Sequence, residues 1–232
     1  MGAIETGGRV GLLVPSSNTV MEPDFWRALP PGATLHTARM YLEDTTPQGE
    51  GRMLDEHVLP AARDLATARP DLIVFGCTSA GALRGNRYDA ELCRRISELS
   101  GVPTISVIAS VRRAIAASGA RRVGVVTPYV DALNQRIKES VEADGVEVGG
   151  IAGLGISDNF EIARVPVEEI CDFAERVLRR LPIDLAFVSC TNLPAVSALP
   201  ELERRLGLPV VTSNQAAIAA VLALLTPACQ GR

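Results

Sequence analysis

The 232-residue sequence has few of the residues that mark metal, nucleotide and triad sites. It contains only two histidines, His36 and His57, and no Cys-x-x-Cys pair, so a zinc site has little support. A G-x-G-x-x-G motif after a strand and a P-loop are both missing, which argues against dinucleotide and nucleotide binding. Neither histidine lies near a serine or cysteine motif, so a nucleophile–histidine triad is also poorly supported.

A surplus of positive charge and a long apolar run are missing as well. Lysine and arginine number 23 against 27 acidic residues, a net charge of −4, so neither nucleic acid nor an anionic membrane is an expected partner. Apolar stretches are interrupted well before the ~20 residues that span a bilayer. Residues 1–9 lack the apolar core of a signal peptide, and a cytoplasmic location is therefore expected.

The five cysteines are widely spaced and odd in number, so a disulfide framework is not expected. Apolar residues make up 47% of the chain, enough for a hydrophobic core. We therefore predict a globular protein with reduced thiols, at Cys77, Cys93, Cys171, Cys190 and Cys229.

Short β-branched runs alternate with longer segments of helical periodicity, which is typical of parallel βα units. The predicted strands are Val10–Val14, Leu35–Met40, Leu72–Phe75, Thr104–Val107, Val123–Thr127, Glu147–Ile151, Leu185–Val188 and Val210–Thr212. The predicted helices include Asp55–Thr67, Asp89–Leu99, Asp131–Ala143, Val167–Arg180 and Ala195–Leu206.

The second half of the chain repeats the first. Arg9–Pro15 resembles Arg122–Pro128, and Asp71–Thr78 resembles Asp184–Thr191, both at an offset of 113 residues. A third pair of similar segments recurs at an offset of 106. The repeat predicts an α/β protein with two pseudosymmetric flavodoxin-like lobes, each with a four-stranded parallel sheet. We expect residues 1–112, completed by a C-terminal helix over 213–228, to form one lobe and residues 113–212 to form the other.

A Cys-Thr pair follows the third predicted strand of each half. Ligands of open parallel sheets bind beyond the carboxyl ends of strands, so Cys77 and Cys190 are expected to face each other across the cleft between the lobes. A single cysteine at a strand end is more often a small buried hydrophobe, but its duplication favours a site. Thr78 or Ser79 is expected to cap the following helix. The helix N-terminus should lower the pKa of the Cys77 thiol, and Cys190 should have the same setting.

Four further segments could bind an anion or serve an ordinary structural purpose. The loop Pro15–Thr19 is rich in short hydrogen-bond donors, which fits anion binding and helix capping equally. Tyr129 could donate to a carboxylate or be a packed aromatic. The segment Ser157–Val165 reads as a lid or as a helix start. Asn192 could cap a helix or hold a carboxylate oxygen.

Taken together, these motifs resemble the aspartate/glutamate racemase superfamily and, within it, the maleate cis-trans isomerases. The resemblance covers nearly the whole chain. The segments that carry it are Gly11–Thr19, Gly76–Ser79, Thr127–Tyr129, Asp158–Ile162, Ser189–Leu193 and Ser213–Ala216.

This resemblance implies a homodimeric enzyme that holds a dicarboxylate between two cysteines, with no metal or organic cofactor. Cys77 would be the nucleophile and Cys190 its acid/base partner. The implied reaction converts maleate to fumarate by thiolate addition, rotation about the resulting single bond and elimination. The implied substrate-binding residues are Ser17, Asn18, Thr78, Ser79, Tyr129, Asn159, Thr191 and Asn192.

Several other functions remain open. Amino-acid and hydantoin racemases of the superfamily use both thiols, but the amino-acid racemases usually carry Asp-Ser after the first strand, where this chain has Ser16-Ser17-Asn18. They also usually carry histidine or glutamate where this chain has Asn192. Arylmalonate decarboxylases keep only the second cysteine, so Cys77 argues against them. Ectoine-utilisation relatives share the same motifs, and a small-acid binding protein would use the same cleft without catalysis.

Overall fold

Two parallel sheets form the framework of the protein, whose computed structural model describes residues 8–225. The strands are β1 (Arg9–Pro15), β2 (Thr34–Met40), β3 (Leu72–Phe75), β4 (Thr104–Ser106), β5 (Arg122–Thr127), β6 (Glu147–Gly153), β7 (Leu185–Val188) and β8 (Val210–Thr212). Their order is β2-β1-β3-β4 in one sheet and β6-β5-β7-β8 in the other. The identical order confirms the predicted pair of four-stranded lobes.

Helices connect the strands in both lobes. They are α1 (Met21–Ala28), α2 (Pro47–Arg52), α3 (Val58–Ala66), α4 (Thr78–Leu83), α5 (Asn86–Ser100), α6 (Val107–Ser118), α7 (Asp131–Glu142), α8 (Asn159–Ala163), α9 (Val167–Leu178), α10 (Ala195–Leu206) and α11 (Ser213–Leu225). Within residues 8–225, no helix combines the length and apolar character needed to cross a membrane.

Most predicted elements differ from the structure by a few residues at their ends, and two of them also change conformation there. The helix predicted from Asp55 starts as a π-helical turn over Met53–His57, and only its later part is α-helical. Thr104–Val107 was expected to be a strand, but Val107 is helical, because the Ser106 hydroxyl accepts a hydrogen bond from the Ala109 amide (3.1 Å) and caps α6 there.

The core is continuous between the lobes. Val10, Leu12 and Val14 on one face of β1 belong to the same cluster of buried side chains as Val123 and Val125 of β5. A second cluster lies on the opposite face of the first sheet, where Leu13 alternates with the residues of the first cluster. The lobes therefore share buried apolar surface, which holds their strand ends in a fixed relation.

The last helix packs against the first lobe. Helix α11 contacts α6 and α1, and the Asn214 side-chain amide donates to the buried Asp24 carboxylate (2.9 Å). These contacts are in line with the expected completion of the first lobe by residues 213–228, although the lobe boundaries stay a prediction. Residues 226–228 and Cys229 lie outside the described residues.

Gly76 lies between β3 and Cys77, and its amide donates to the Leu13 carbonyl of β1 (2.7 Å). A Cβ atom there would lie 2.6 Å from the Leu13 carbonyl oxygen and 2.8 Å from Met21 Sδ. We expect Gly76→Ala to lower the free energy of unfolding by about 1–3 kcal/mol through overpacking, as measured by urea denaturation.

Gly51→Ala is the matched control, because the nearest atom to its Cβ would be Arg84 Nη2 at 3.7 Å. Gly51 lies in α2, where alanine has the better helix propensity, so this variant should be as stable as the wild type or slightly more so. Equal losses in both variants would contradict the steric explanation.

Candidate active site

The predicted nucleophile, Cys77, and its predicted acid/base partner, Cys190, lie in one buried site. Cys77 follows β3 as the N-cap residue of α4, and Cys190 follows β7; each is 5% exposed. The Tyr129 hydroxyl lies near the Cys190 sulfur, where it offsets part of the rise that burial causes in the pKa of Cys190, and negative charge on either thiol would act on Tyr129. The structure therefore brings both cysteines and Tyr129 together, as the repeat predicts.

Ser213 joins the two Cys-Thr segments. Its hydroxyl oxygen accepts hydrogen bonds from Thr78 Oγ1 (2.9 Å) and from the Cys190 amide (3.0 Å). The expected capping by Thr78 or Ser79 is wrong, because neither side chain caps α4. Thr78 instead donates to Ser213, the first residue of α11. Ser213 was not among the predicted site residues.

Asn18 links its loop to the second lobe. Its Nδ2 donates to Thr191 Oγ1 (3.0 Å), and its Oδ1 accepts from the amides of Val20 (3.1 Å) and Met21 (3.0 Å) at the start of α1. Thr191 in turn donates to the Gly76 carbonyl (3.2 Å). Asn18 thus has the capping contacts that its sequence position suggested, and its binding of substrate stays a prediction.

A second chain of hydrogen bonds crosses the site through two asparagines. Asn192 Oδ1 accepts from the Thr19 amide (2.8 Å), and its Nδ2 donates to the Asn159 carbonyl (2.6 Å). Asn159 Nδ2 donates to Ser17 Oγ (2.9 Å). Capping by Asn192 is wrong, because α10 begins only at Ala195. This second chain therefore links Ser17 and Thr19 of the first lobe to Asn159 and Asn192 of the second.

The segment after the glycine-rich strand is a helix start. The Asp158 side chain accepts from the Phe160 amide (2.9 Å) and caps α8. Phe160 is 52% exposed, and Arg164 forms an exposed ion pair with Glu161 (3.2 Å). Of this segment, Asn159 is the residue that reaches the site network.

The expected lowering of the Cys77 pKa is wrong. Burial raises this pKa well above its ordinary value, the nearby Glu50 carboxylate raises it further, and the Ala80 amide at the start of α4 offsets only part of the effect. Cys190 has a different setting from Cys77: its backbone has φ 129°, and the Asn192 amide donates to its sulfur (3.3 Å). Burial raises the pKa of Cys190 to about 11.

Glu50 is a site residue that the sequence did not reveal. It lies in α2, is fully buried, and accepts a short hydrogen bond from the Ser79 hydroxyl. Ser79 Oγ lies 3.8 Å from Cys77 Sγ. Burial raises the pKa of Glu50 to about 8. An acid in the first turn of a helix is commonplace, so no local pattern marks this one as buried.

Within residues 8–225, no three histidine, cysteine or acidic side chains are grouped so that they could hold a metal ion. The polar side chains around the two thiols are mostly uncharged hydroxyls and amides. Such groups can hold carboxylates, and the thiols can exchange protons or add to carbon.

Comparison with known proteins agrees with this arrangement. Residues 10–231 match the arylmalonate decarboxylase family. A maleate isomerase from Geobacillus stearothermophilus is 26% identical over 227 residues, covering 92% of this chain and 90% of that protein. An arylmalonate decarboxylase from Bordetella bronchiseptica is 30% identical over 208 residues, covering 89% and 86%.

A solved structure is similar over the same length. It is a cysteine-to-alanine variant of the maleate isomerase Iso from Pseudomonas putida S16 with maleate, 28% identical, with a TM-score of 0.86. The match covers 94% of this chain and 92% of that one. These similarities confirm the resemblance that the sequence motifs predict, as well as the two-lobed fold.

Ser213→Ala should weaken the connection between the lobes. It removes the acceptor of two buried hydrogen bonds and leaves the Thr78 hydroxyl and the Cys190 amide unpaired, which costs about 1–3 kcal/mol. Urea denaturation would measure the loss. Ser100→Ala, which removes a hydroxyl at the end of α5 (2.8 Å to the Ile96 carbonyl), should cost less than about 0.5 kcal/mol. Similar losses in both variants would argue against the bridge.

Glu50 should make stability depend on pH. Its pKa in the folded protein, about 8, lies above the ordinary 4.5, so the unfolded chain ionises first as pH rises. The free energy of unfolding should therefore fall between about pH 5 and pH 8. Glu50→Gln should flatten this fall in urea denaturations at pH 5 and pH 8, whereas Glu98→Gln, an exposed change on α5, should not. An unchanged slope in Glu50→Gln would refute the assignment.

Proposed function

The chain belongs to the arylmalonate decarboxylase family, and we propose that it is a cofactor-independent cis-trans isomerase that converts maleate to fumarate. The observation that carries this proposal is the pair of buried thiols, one from each lobe, in a site of hydroxyls and amides. A homodimer in the cytoplasm is part of the same proposal: the dimer rests on the resemblance alone, and the location stays the prediction made from the sequence.

The two cysteines favour this reaction over those of the alternatives. A decarboxylase of this family needs only the second thiol, so Cys77 would have no part in it. For a racemase, the position after the second Cys-Thr pair should carry an acid or base, but Asn192 is there and links Thr19 to Asn159. Maleate isomerases and this chain match over about nine-tenths of both lengths.

Isomerisation requires the C2–C3 double bond of maleate to become single for a time. The Cys77 thiolate adds to C2, forming the S–C2 bond, and the π electrons move to C3 and into the carboxylate attached to it. The site is buried, so charge–dipole interactions there are stronger than in water. Hydroxyls and amides can thus stabilise the enediolate.

Cys190 would then complete the step as an acid. Its pKa of about 11 keeps it protonated near neutral pH, so it can donate the thiol proton to C3. Rotation about C2–C3 follows, after which the Cys190 thiolate removes a proton from C3 and the C2–S bond breaks. Fumarate leaves, and both cysteines regain their starting protonation states.

The neutral network would hold the two carboxylates. Ser17 accepts a hydrogen bond from Asn159, so its own hydrogen can donate to substrate, and the Tyr129 hydroxyl lies beside the Cys190 sulfur. The other expected binding residues would hold the carboxylates beside the same thiols; they are Asn18, Thr78, Ser79, Thr191 and Asn192. Fixing both ends of the diacid restricts its motion to the rotation that the reaction needs.

Proton NMR of reduced protein with maleate tests this proposal. We expect fumarate to accumulate in the wild type, and Cys77→Ala and Cys190→Ala to lose about 10³-fold or more in rate. Cys93→Ala, which removes a thiol in α5 outside the site, should retain activity. Maleate binding without turnover would favour a small-acid binding protein, and loss of carbon dioxide from phenylmalonate would favour a decarboxylase.

A further inference from the structure

Glu50 is a buried carboxyl group within reach of the proposed nucleophile. It is fully buried, and its Oε1 accepts the hydrogen bond of Ser79 while its Oε2 has no hydrogen-bond partner. A carboxyl group buried with one oxygen unsatisfied is costly. None of the steps described so far uses it.

Ser79 connects this carboxyl group to the thiol. Its Oγ lies 3.8 Å from Cys77 Sγ, within hydrogen-bond range for sulfur, and its O–H points to Glu50. The Cys77 thiol can therefore donate to Ser79, which already donates to Glu50. When the thiol is the donor, the Cys77–Ser79 and Ser79–Glu50 hydrogen bonds run in one direction, from sulfur to carboxylate.

The thiol of Cys77 needs a proton acceptor inside the protein. Addition to carbon requires the thiolate, yet Cys77 is almost inaccessible to solvent, and its burial disfavours the charge. Neither histidine can help: His36 hydrogen-bonds Thr34 on β2 (3.0 Å), and His57 packs against Tyr41.

We propose that Ser79 and Glu50 form a relay that takes the proton of Cys77. The S–H bond breaks as its proton moves to Ser79 Oγ, and the former hydroxyl proton of Ser79 moves to Glu50 Oε1. Cys77 becomes a thiolate, Glu50 becomes neutral, and no electron is gained or lost. Glu50 acts on Cys77 through Ser79, so it is a positioning residue and does not touch the reacting atoms. The assignment of Cys77 as the nucleophile rests on the proposed function.

The surroundings of Glu50 favour its accepting a proton. The titratable groups that act on it are Asp44, before α2, Cys77 on α4, and Tyr129 and Cys190 from the second lobe. The Asp44 carboxylate disfavours a negative charge on Glu50, and the two thiols and Tyr129 do so only when they are themselves ionised. Neutralising Glu50 also relieves its repulsion of the thiolate.

A purely electrostatic role for Glu50 predicts the opposite outcome from a relay. As a fixed negative charge, Glu50 raises the pKa of Cys77, so removing that charge should increase thiolate formation. As the relay's acceptor, Glu50 takes up the thiol proton while sulfur attacks carbon, so its removal should slow alkylation. The sign of the effect therefore separates the two roles.

Alkylation by iodoacetamide, followed at Cys77 by peptide mass spectrometry between pH 6 and pH 9.5, measures this sign. In the wild type, the rate at Cys77 relative to that at Cys93 should rise in a step near pH 8. In Glu50→Gln the step should vanish and the rate at pH 8.5 should fall by about tenfold, because no base then takes up the thiol proton during the attack. Faster labelling of Glu50→Gln than of the wild type would overturn the relay.

Two further variants keep the result independent of folding effects. Ser79→Ala keeps the charge of Glu50 but breaks the relay, so it should also label slowly; a wild-type rate would overturn the proposal. Asp89→Asn is the matched control, because Asp89 is a buried carboxyl that accepts from a serine, Ser106. Its change should leave the absolute alkylation rate of Cys77 unaltered; the rate relative to Cys93 is not used for this variant, because, after burial, the Asp89 charge raises the pKa of Cys93. Far-UV circular dichroism checks that each variant is folded.

Labelling needs no substrate, so the relay and the isomerase activity can fail separately. Maleate turnover with Cys77 labelling that does not depend on Glu50 would overturn the relay alone. Glu50-dependent labelling without maleate turnover would overturn the proposed function alone.

Discussion

The hydroxyl of Ser213 is the contact on which the geometry of the site depends. It accepts the amide of Cys190 from one lobe and the hydroxyl of Thr78 from the other. The backbone of Cys190 has φ 129°, a conformation that costs about 1–3 kcal/mol for a residue other than glycine. The hydrogen bond from the Cys190 amide to the Ser213 hydroxyl helps hold this conformation. The position of one thiol is thus set by the first residue of a helix that packs on the opposite lobe.

Uncharged hydrogen bonds, rather than ion pairs, connect the lobes around the thiols. Asn18 with Thr191, and Asn192 with Thr19, each cross from one half to the other. Neutral partners suit a buried position, because an unpaired charge there is costly. The exception is Glu50, a carboxyl group. Its raised pKa allows protonation to remove the charge that burial disfavours. A site of this kind can bind an anion without already containing a charged group that compensates for the anion's charge.

The architecture and the thiol pair could be predicted from the sequence because the segments that form them occur once in each half of the chain. A common offset of 113 residues identifies equivalent strands and equivalent cysteines, and parallel topology then places both at strand ends. Glu50 and Ser213 have no counterpart in the repeat, and their burial depends on contacts distant in sequence. The pKa of Cys77 was mispredicted for a related reason: the helix terminus is visible in the sequence, whereas desolvation by burial is not.

The return of α11 to the first lobe also governs the order in which the chain can become complete. While residues 1–212 emerge during synthesis, the faces of α6 and α1 that α11 later covers have no partner from that helix, and Ser213 is not yet present. Although the repeat suggests two similar modules, the active geometry therefore arises only after α11 has been made and has packed on the first lobe.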